Sequence, residues 1–257
     1  MATKAFVNLC KFCDKEKLLI EKSHIIPKCF QKPLKNEKNE MTVIDPERRK
    51  RPPVQDFFFE GNILCRECDN MFGKDEDYTA SFFNKYRNDS IIPIGETPNL
   101  FGKFIFYNVD TMRIKKCLLS ILWRMSISNR TEFKHINLGK LELKLKNGLK
   151  TDEFTKETFF PVQVGTTKHI DDIKARFLKV PNKSIKLKTG SSYAFGHAML
   201  LPDIVILFYA TSFFTGDTTS LGLKKNQPLL LNYTNQKMTM NFLRGIIKDI
   251  KDAPRSF

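Results

Sequence analysis

Apolar residues recur at helical spacing over 110–127, where Ile114, Cys117, Leu118, Ile121, Leu122 and Met125 share a face behind Asp110, a residue suited to cap the first turn. A second helix is predicted over 69–88, where Asp69, Met71, Phe72, Phe82 and Phe83 give a mixed apolar face. Residues 138–147 satisfy two periods at once. Leu138, Leu141 and Leu145 fit a helix, whereas Leu141, Leu143 and Leu145 alternate as in a strand; Gly148, a residue suited to a helix end, tips the reading to helix. From about residue 158 the period shortens to two, at Val162/Val164 and Ile185/Leu187. The run Ala198–Ala210 is the most apolar of the chain and reads as a buried strand pair, because Pro202 and Asp203 interrupt it and it is too short to span a bilayer. Residues 239–251 read as a closing helix.

The first eighty residues break this pattern. They carry turn and charge signals and few long apolar periods, so a fold there needs a staple. Residues 32–60 read as a basic, extended insertion: Glu47-Arg48-Arg49-Lys50-Arg51-Pro52-Pro53 cannot be helical through its prolines. This run is either a solvated loop or an arm touching phosphates through Arg48, Arg49, Lys50 and Arg51.

Composition sharpens the picture. With 257 residues, 41% of them hydrophobic, the chain can bury one large core or two modest ones. Its net charge of +15 suits a polyanionic partner. That charge is unevenly placed: residues 1–80 hold 15 Lys/Arg against 14 Asp/Glu, and residues 81–257 hold 28 against 14. The start of the sequence shows no secretory signal, which predicts a cytoplasmic protein with no membrane association. In a reducing compartment, CxxC pairs indicate metal or redox chemistry rather than structural disulfides.

Two such pairs are present, Cys10/Cys13 and Cys65/Cys68, separated by 51 residues. A CxxC turn offers two sulfurs to one ion, and four soft ligands suit tetrahedral zinc. A redox role is less favoured, because there are two pairs and no βαβ context. Between them lie Ser23-His24-Ile25-Ile26-Pro27 and Asn62-Ile63-Leu64. Closing the four cysteines on one ion would bring the His24 segment beside the Asn62 segment.

The ordered text C-x2-C, SHIIPK, NILC-x2-CDN resembles the HNH (ββα-metal) endonuclease family in its zinc-cysteine variant, over roughly residues 8–80. A fainter likeness, through KRPPVQDFFFEGNILCRECDNMFGKDEDY and KKCLLSILWRMSIS, is to little-characterised bacterial HNH proteins found in phage-defence contexts. The resemblance implies a ββα-metal fold and a nuclease acting on nucleic acid, DNA favoured over RNA. It also implies His24 as general base, Asn62 orienting the catalytic loop, and a catalytic Mg2+ or Mn2+ beside a structural Zn2+. An antiviral role further implies a regulatory protein partner. Two positions depart from the family pattern. Ser23 stands where a metal-binding aspartate is common. The last motif position falls on Asp69 or Asn70, with Glu76 two helical turns on as a second candidate carboxylate. These departures keep open a competing reading, a catalytically degenerate zinc module that docks nucleic acid or a partner subunit.

The remaining chemistry-bearing residues have plainer readings. His135, His169 and His197 lack partners at ligand spacing. Cys29 is a free or buried thiol, and Cys117 an inert buried one. Trp123-Arg124 reads as core packing with a surface arginine. Lys174, Arg176, Lys179, Lys183, Lys186 and Lys188 read as a lysine-guarded edge strand before a phosphate track. The sequence thus predicts an α+β protein: a zinc-stapled HNH module over 1–80, then a basic, helical and β-rich domain over 81–257 that binds substrate or a partner.

Overall fold

The computed structural model describes residues 7–42, 52–88, 103–167, 178, 185–189, 192–209 and 222–233. The basic run Arg48–Arg51, His169, the 239–251 helix and Lys174, Arg176, Lys179 and Lys183 lie outside them. Within them the chain is α+β, as its two periodicities predict.

It begins with a hairpin of β1 (Val7–Leu9) and β2 (Glu16–Leu18), register Leu9↔Glu16, whose connecting turn holds Cys10 and Cys13. Next come β3 (Ser23–His24) and the single turn α1 (Lys28–Gln31). After a loop, β4 (Phe59–Glu60) returns antiparallel to β3, pairing Ser23 with Glu60 and His24 with Phe59. The long helix α2 (Arg66–Arg87) follows directly from Cys65.

The predicted insertion is only partly one. Met41 and Val54 bridge across its base, Phe57 and Phe58 are buried, and the buried Gln31 amide bonds the Phe57 carbonyl at 3.0 Å and receives the Phe57 N–H at 3.2 Å. The loop therefore returns to the core, where its phenylalanines gain more from burial than an exposed arm would allow.

After β5 (Lys103–Phe106), α3 (Thr111–Ile127) forms where the apolar period placed it. Its cap is as expected: one carboxylate oxygen of Asp110 accepts from the N–H groups of Met112 and Arg113, each at 3.1 Å. The helix is buried nearly all round, and α2 packs along it. In consequence Arg124, expected at the surface, is 1% exposed.

Helix α4 (Lys140–Lys150) resolves the ambiguous leucines in favour of helix. Gly148 does not end it but lies within it. A Cβ there would fall 2.0 Å from Cζ of Phe159, so the bare backbone makes room for that ring.

The β-rich half is a six-stranded sheet adding β6 (Val162–Thr166), β7 (Ile185–Thr189), β8 (Ser192–Leu201), β9 (Ile204–Tyr209) and β10 (Leu229–Tyr233), in the order β5-β10-β6-β9-β8-β7. Every pairing is antiparallel except β10 with β6. The Ala198–Ala210 run is the β8–β9 hairpin, turning at Pro202-Asp203 with Asp203 at φ 63°. Strand β7, which carries Lys186 and Lys188, is an edge strand. His197 on β8 is buried and His135 is exposed. A single apolar cluster runs from Cys10 to Leu231, and Tyr86 on α2 joins it to the sheet through a 2.8 Å hydroxyl contact with Thr166. No helix among the described residues is long and apolar enough to cross a membrane.

Candidate metal centre and adjoining histidine site

The hairpin turn and the start of α2 bring the four cysteines together. Asp14, at φ 60°, reverses the chain after Cys13, and the Cys10 N–H donates to the Lys15 carbonyl at 2.9 Å. Opposite, Cys65 stands at the N-cap of α2 and Cys68 in its first turn. The Cys65 N–H donates to Cys10 Sγ at 3.3 Å. All four sulfurs lie within 4.8 Å of one another, and none forms a disulfide. A zinc tetrathiolate has sulfurs about 3.8 Å apart, so modest contraction would seat an ion.

The electrostatics fit a cation. Burial opposes ionisation of Cys10, but N–H groups of Cys13, Cys65 and Phe12 outweigh it and bring the thiol down to about 7. Burial and the neighbouring thiols push Cys68 far up. Four thiolates cannot share this space without a positive charge between them, and a divalent ion would supply it.

The centre is tied into the core on two sides. Phe12, inside the first CxxC, packs edge-on to Phe72 of α2 at 4.8 Å and to Trp123 of α3 at 5.3 Å. Asp14 is gripped by Lys146 and by Lys150 of α4, the latter at 2.9 Å, and these hydrogen bonds hold its carboxyl below the usual range.

The knuckle also positions the histidine strand. Leu19 bridges Cys65, the Ile20 N–H donates to the Leu64 carbonyl, and the Asn62 N–H donates to the Ile20 carbonyl, the last two each at 3.0 Å. The His24 and Asn62 segments are therefore neighbours, as closure of the cysteines requires. Asn62 itself is exposed, at φ 61°, and its side chain has no hydrogen-bond partner among the described residues. Its observed part is to turn the chain. Gly61 beside it lies so near the Glu21 carbonyl that a Cβ would stand 2.7 Å from that oxygen.

Ser23 and His24 diverge, as neighbours on a strand do. Ser23 is fully buried and its hydroxyl donates to Asp69 Oδ1 at 3.0 Å, so it orients that carboxylate rather than presenting a ligand outward. His24 is partly exposed, and both carboxylate oxygens of Asp56 stand 3.1 Å from its Nε2. A carboxylate accepts, so this pairing assigns the hydrogen to Nε2 and the lone pair to Nδ1. Asp56 was not singled out from the sequence, because it sits 32 residues from its partner inside a stretch dominated by basic residues and prolines.

Glu76 lies beneath this strand. Burial raises its affinity for a proton, and the Arg124 guanidinium, to which it is paired, opposes that. Both Asp69 and His24 act electrostatically on it, so the three groups form one neighbourhood. Cys29 sits nearby with Sγ 3.9 Å from the Glu76 carbonyl, and burial pushes its thiol up to about 12, as expected of an unreactive cysteine. A groove of about 830 Å³ opens between β2 and the first turn of α2. Lys17, Lys22 and Arg66 line it together with Glu21, Glu67 and Asp69, and Lys17 pairs with Glu67.

No protein-family model, no curated protein and no solved structure matches this chain.

Proposed function

We propose that this protein is a metal-dependent nuclease of HNH type, hydrolysing phosphodiester bonds of nucleic acid, with DNA favoured over RNA. What carries the reading is the His24–Asp56 pair, set on a strand that a four-cysteine knuckle anchors. Asp56 holds the ring so that Nδ1 can take a proton from an attacking water. Ser23 fixes one oxygen of Asp69, leaving the other without a partner among the described residues. A divalent cation held there would stabilise charge on the phosphate and the leaving oxygen. In this reading the four cysteines hold zinc, which shapes the site and takes no part in the chemistry. The antiviral setting, a regulatory partner and a phosphate-contacting role for Arg48–Arg51 rest on the resemblance and the charge pattern.

A second reading keeps a specific observation. Ser23 is wholly buried and the groove beside Asp69 carries acids as well as bases, which suits a zinc-folded docking module with no catalysis. One assay separates the two. The full-length protein is incubated with supercoiled plasmid and with structured RNA, in magnesium, in manganese and in EDTA. Metal-dependent cutting that disappears in a folded His24→Ala variant supports the nuclease. Tight, salt-sensitive binding without cutting in any condition supports the docking module.

A further inference from the structure

We infer that Arg124 is a positioning residue for His24, reaching the histidine strand from a helix outside the cysteine-rich segment. The inference deepens the nuclease reading and rests on His24 being its base.

Arg124 sits one turn from the end of α3, inside the core. Its Nη1 donates to the His24 carbonyl at 2.6 Å. Its Nη2 pairs with Glu76 and bonds Ser120 Oγ at 3.2 Å, its Nε reaches the Ser120 carbonyl at 3.3 Å, and the Phe72 ring lies 5.4 Å beneath the guanidinium. Burying a guanidinium is costly, and an apolar side chain of similar volume would pack a core helix at least as well. The charge stands where a planar fork can hold two acceptors at once, one on α2 and one on the histidine strand.

The neighbouring contacts share this geometry. The β3–β4 pair is two residues long on each side, too short to fix its own position. The segment after α3 holds the other strand. Arg130 Nη1 donates to the carbonyl of Phe59, the register partner of His24, at 2.9 Å. Ser128 Oγ donates to Glu60, the register partner of Ser23, at 2.5 Å. Residues 124–130 thus act as a jig: Arg124 sets β3 and its followers set β4. A strand displaced along this jig would carry the imidazole away from Asp56, because among the described residues the ring's other contact is the Phe59 edge at 6.2 Å.

The test uses full-length Arg124→Gln and Arg124→Lys. Zinc content and a thermal melt report folding, cleavage gives kcat and KM, and ring-15N-labelled histidine, with His24 assigned by loss of its signals in His24→Ala, reports the imidazole. Lysine keeps the charge but cannot fork to both acceptors. For both variants the expected result is retained zinc, KM within about threefold, kcat lower by on the order of 100-fold, and displaced His24 ring signals. Folded variants with wild-type kcat and unmoved signals overturn the inference. So does loss of zinc and cooperative melting in both, which would make Arg124 a structural residue only. If wild type cuts neither nucleic acid, the nuclease reading fails on its own, and the ring signals alone decide whether Arg124 sets His24.

Discussion

His24 and Asp56 meet through a two-point contact, Nε2 of the ring standing 3.1 Å from each carboxylate oxygen. The carboxylate comes from the loop that precedes β4 and the ring from β3, so the pair forms only when that loop is drawn back by the burial of Phe57 and Phe58. Replacing Asp56 by asparagine keeps the shape but lets the amide offer either a donor or an acceptor to the ring, releasing the tautomer. The expected result is a folded, zinc-replete protein with cleavage slowed by about 10–100-fold, read from initial rates under manganese. Wild-type rates in that variant would mean the carboxylate does not serve the ring.

The knuckle makes a prediction independent of catalysis. Metal analysis of purified protein should find zinc at one ion per chain. Stripping it with a chelator, or substituting Cys68→Ser, should abolish the cooperative melt of the segment built on Cys10, Phe12 and Phe72, because ion binding and folding there are one process. A metal-free protein with an unchanged melting curve would contradict this.

Gly148 offers a contest between two magnitudes. Alanine in a helix interior gains about 1 kcal/mol over glycine. Here its Cβ would stand 2.0 Å from Phe159 Cζ, and overpacking typically costs about 1–3 kcal/mol. Gly148→Ala is therefore expected to lower the urea midpoint. Equal or greater stability would show that the Phe159 ring can move aside at little cost.

Lys115 gives stability a pH dependence of definite sign. It is fully buried on α3 with Nζ 2.8 Å from the Lys156 carbonyl, and burial brings its pKa down to about 8, against a smaller upward pull from Glu157. An unfolded lysine titrates near about 10.4. Below pH 8 the group is charged in both states and its burial penalty is at its full value. Between about pH 8 and about pH 10 the unfolded chain holds more protons, so stability rises with pH through that window. The rise should vanish in Lys115→Met. Denaturant midpoints at about pH 7 and about pH 9.5, compared between wild type and variant, measure it. An identical pH response in the two proteins would remove Lys115 as the cause.

Much of this architecture is legible before any coordinates. The α3 period, its Asp110 cap, the β8–β9 pair broken at Pro202, and the four cysteines flanking His24 all follow from local spacing, because capping, pleating and CxxC turns are short-range chemistry. The missing parts are long-range. Asp56 carries no periodic signal, and its value appears only when the loop returns. Gly148 resembles a helix end until Phe159, eleven residues on, is found lying over it. Arg124 had a signal that a one-face reading of α3 passes over. From Cys117 to Met125 the helix is apolar except at Ser120 and Arg124, and a polar group in such a buried stretch needs a partner.

The dependence of β3 and β4 on residues 124–130 also sets an order of events during synthesis. The ribosome releases both CxxC pairs, His24 and Asp56 well before Arg124 emerges, so an interrupted chain would hold the chemical groups without the brace that aligns them. On the nuclease reading proposed above, fragments ending before Arg124 are expected to lack activity, which would arise only once most of α3 had been translated and packed.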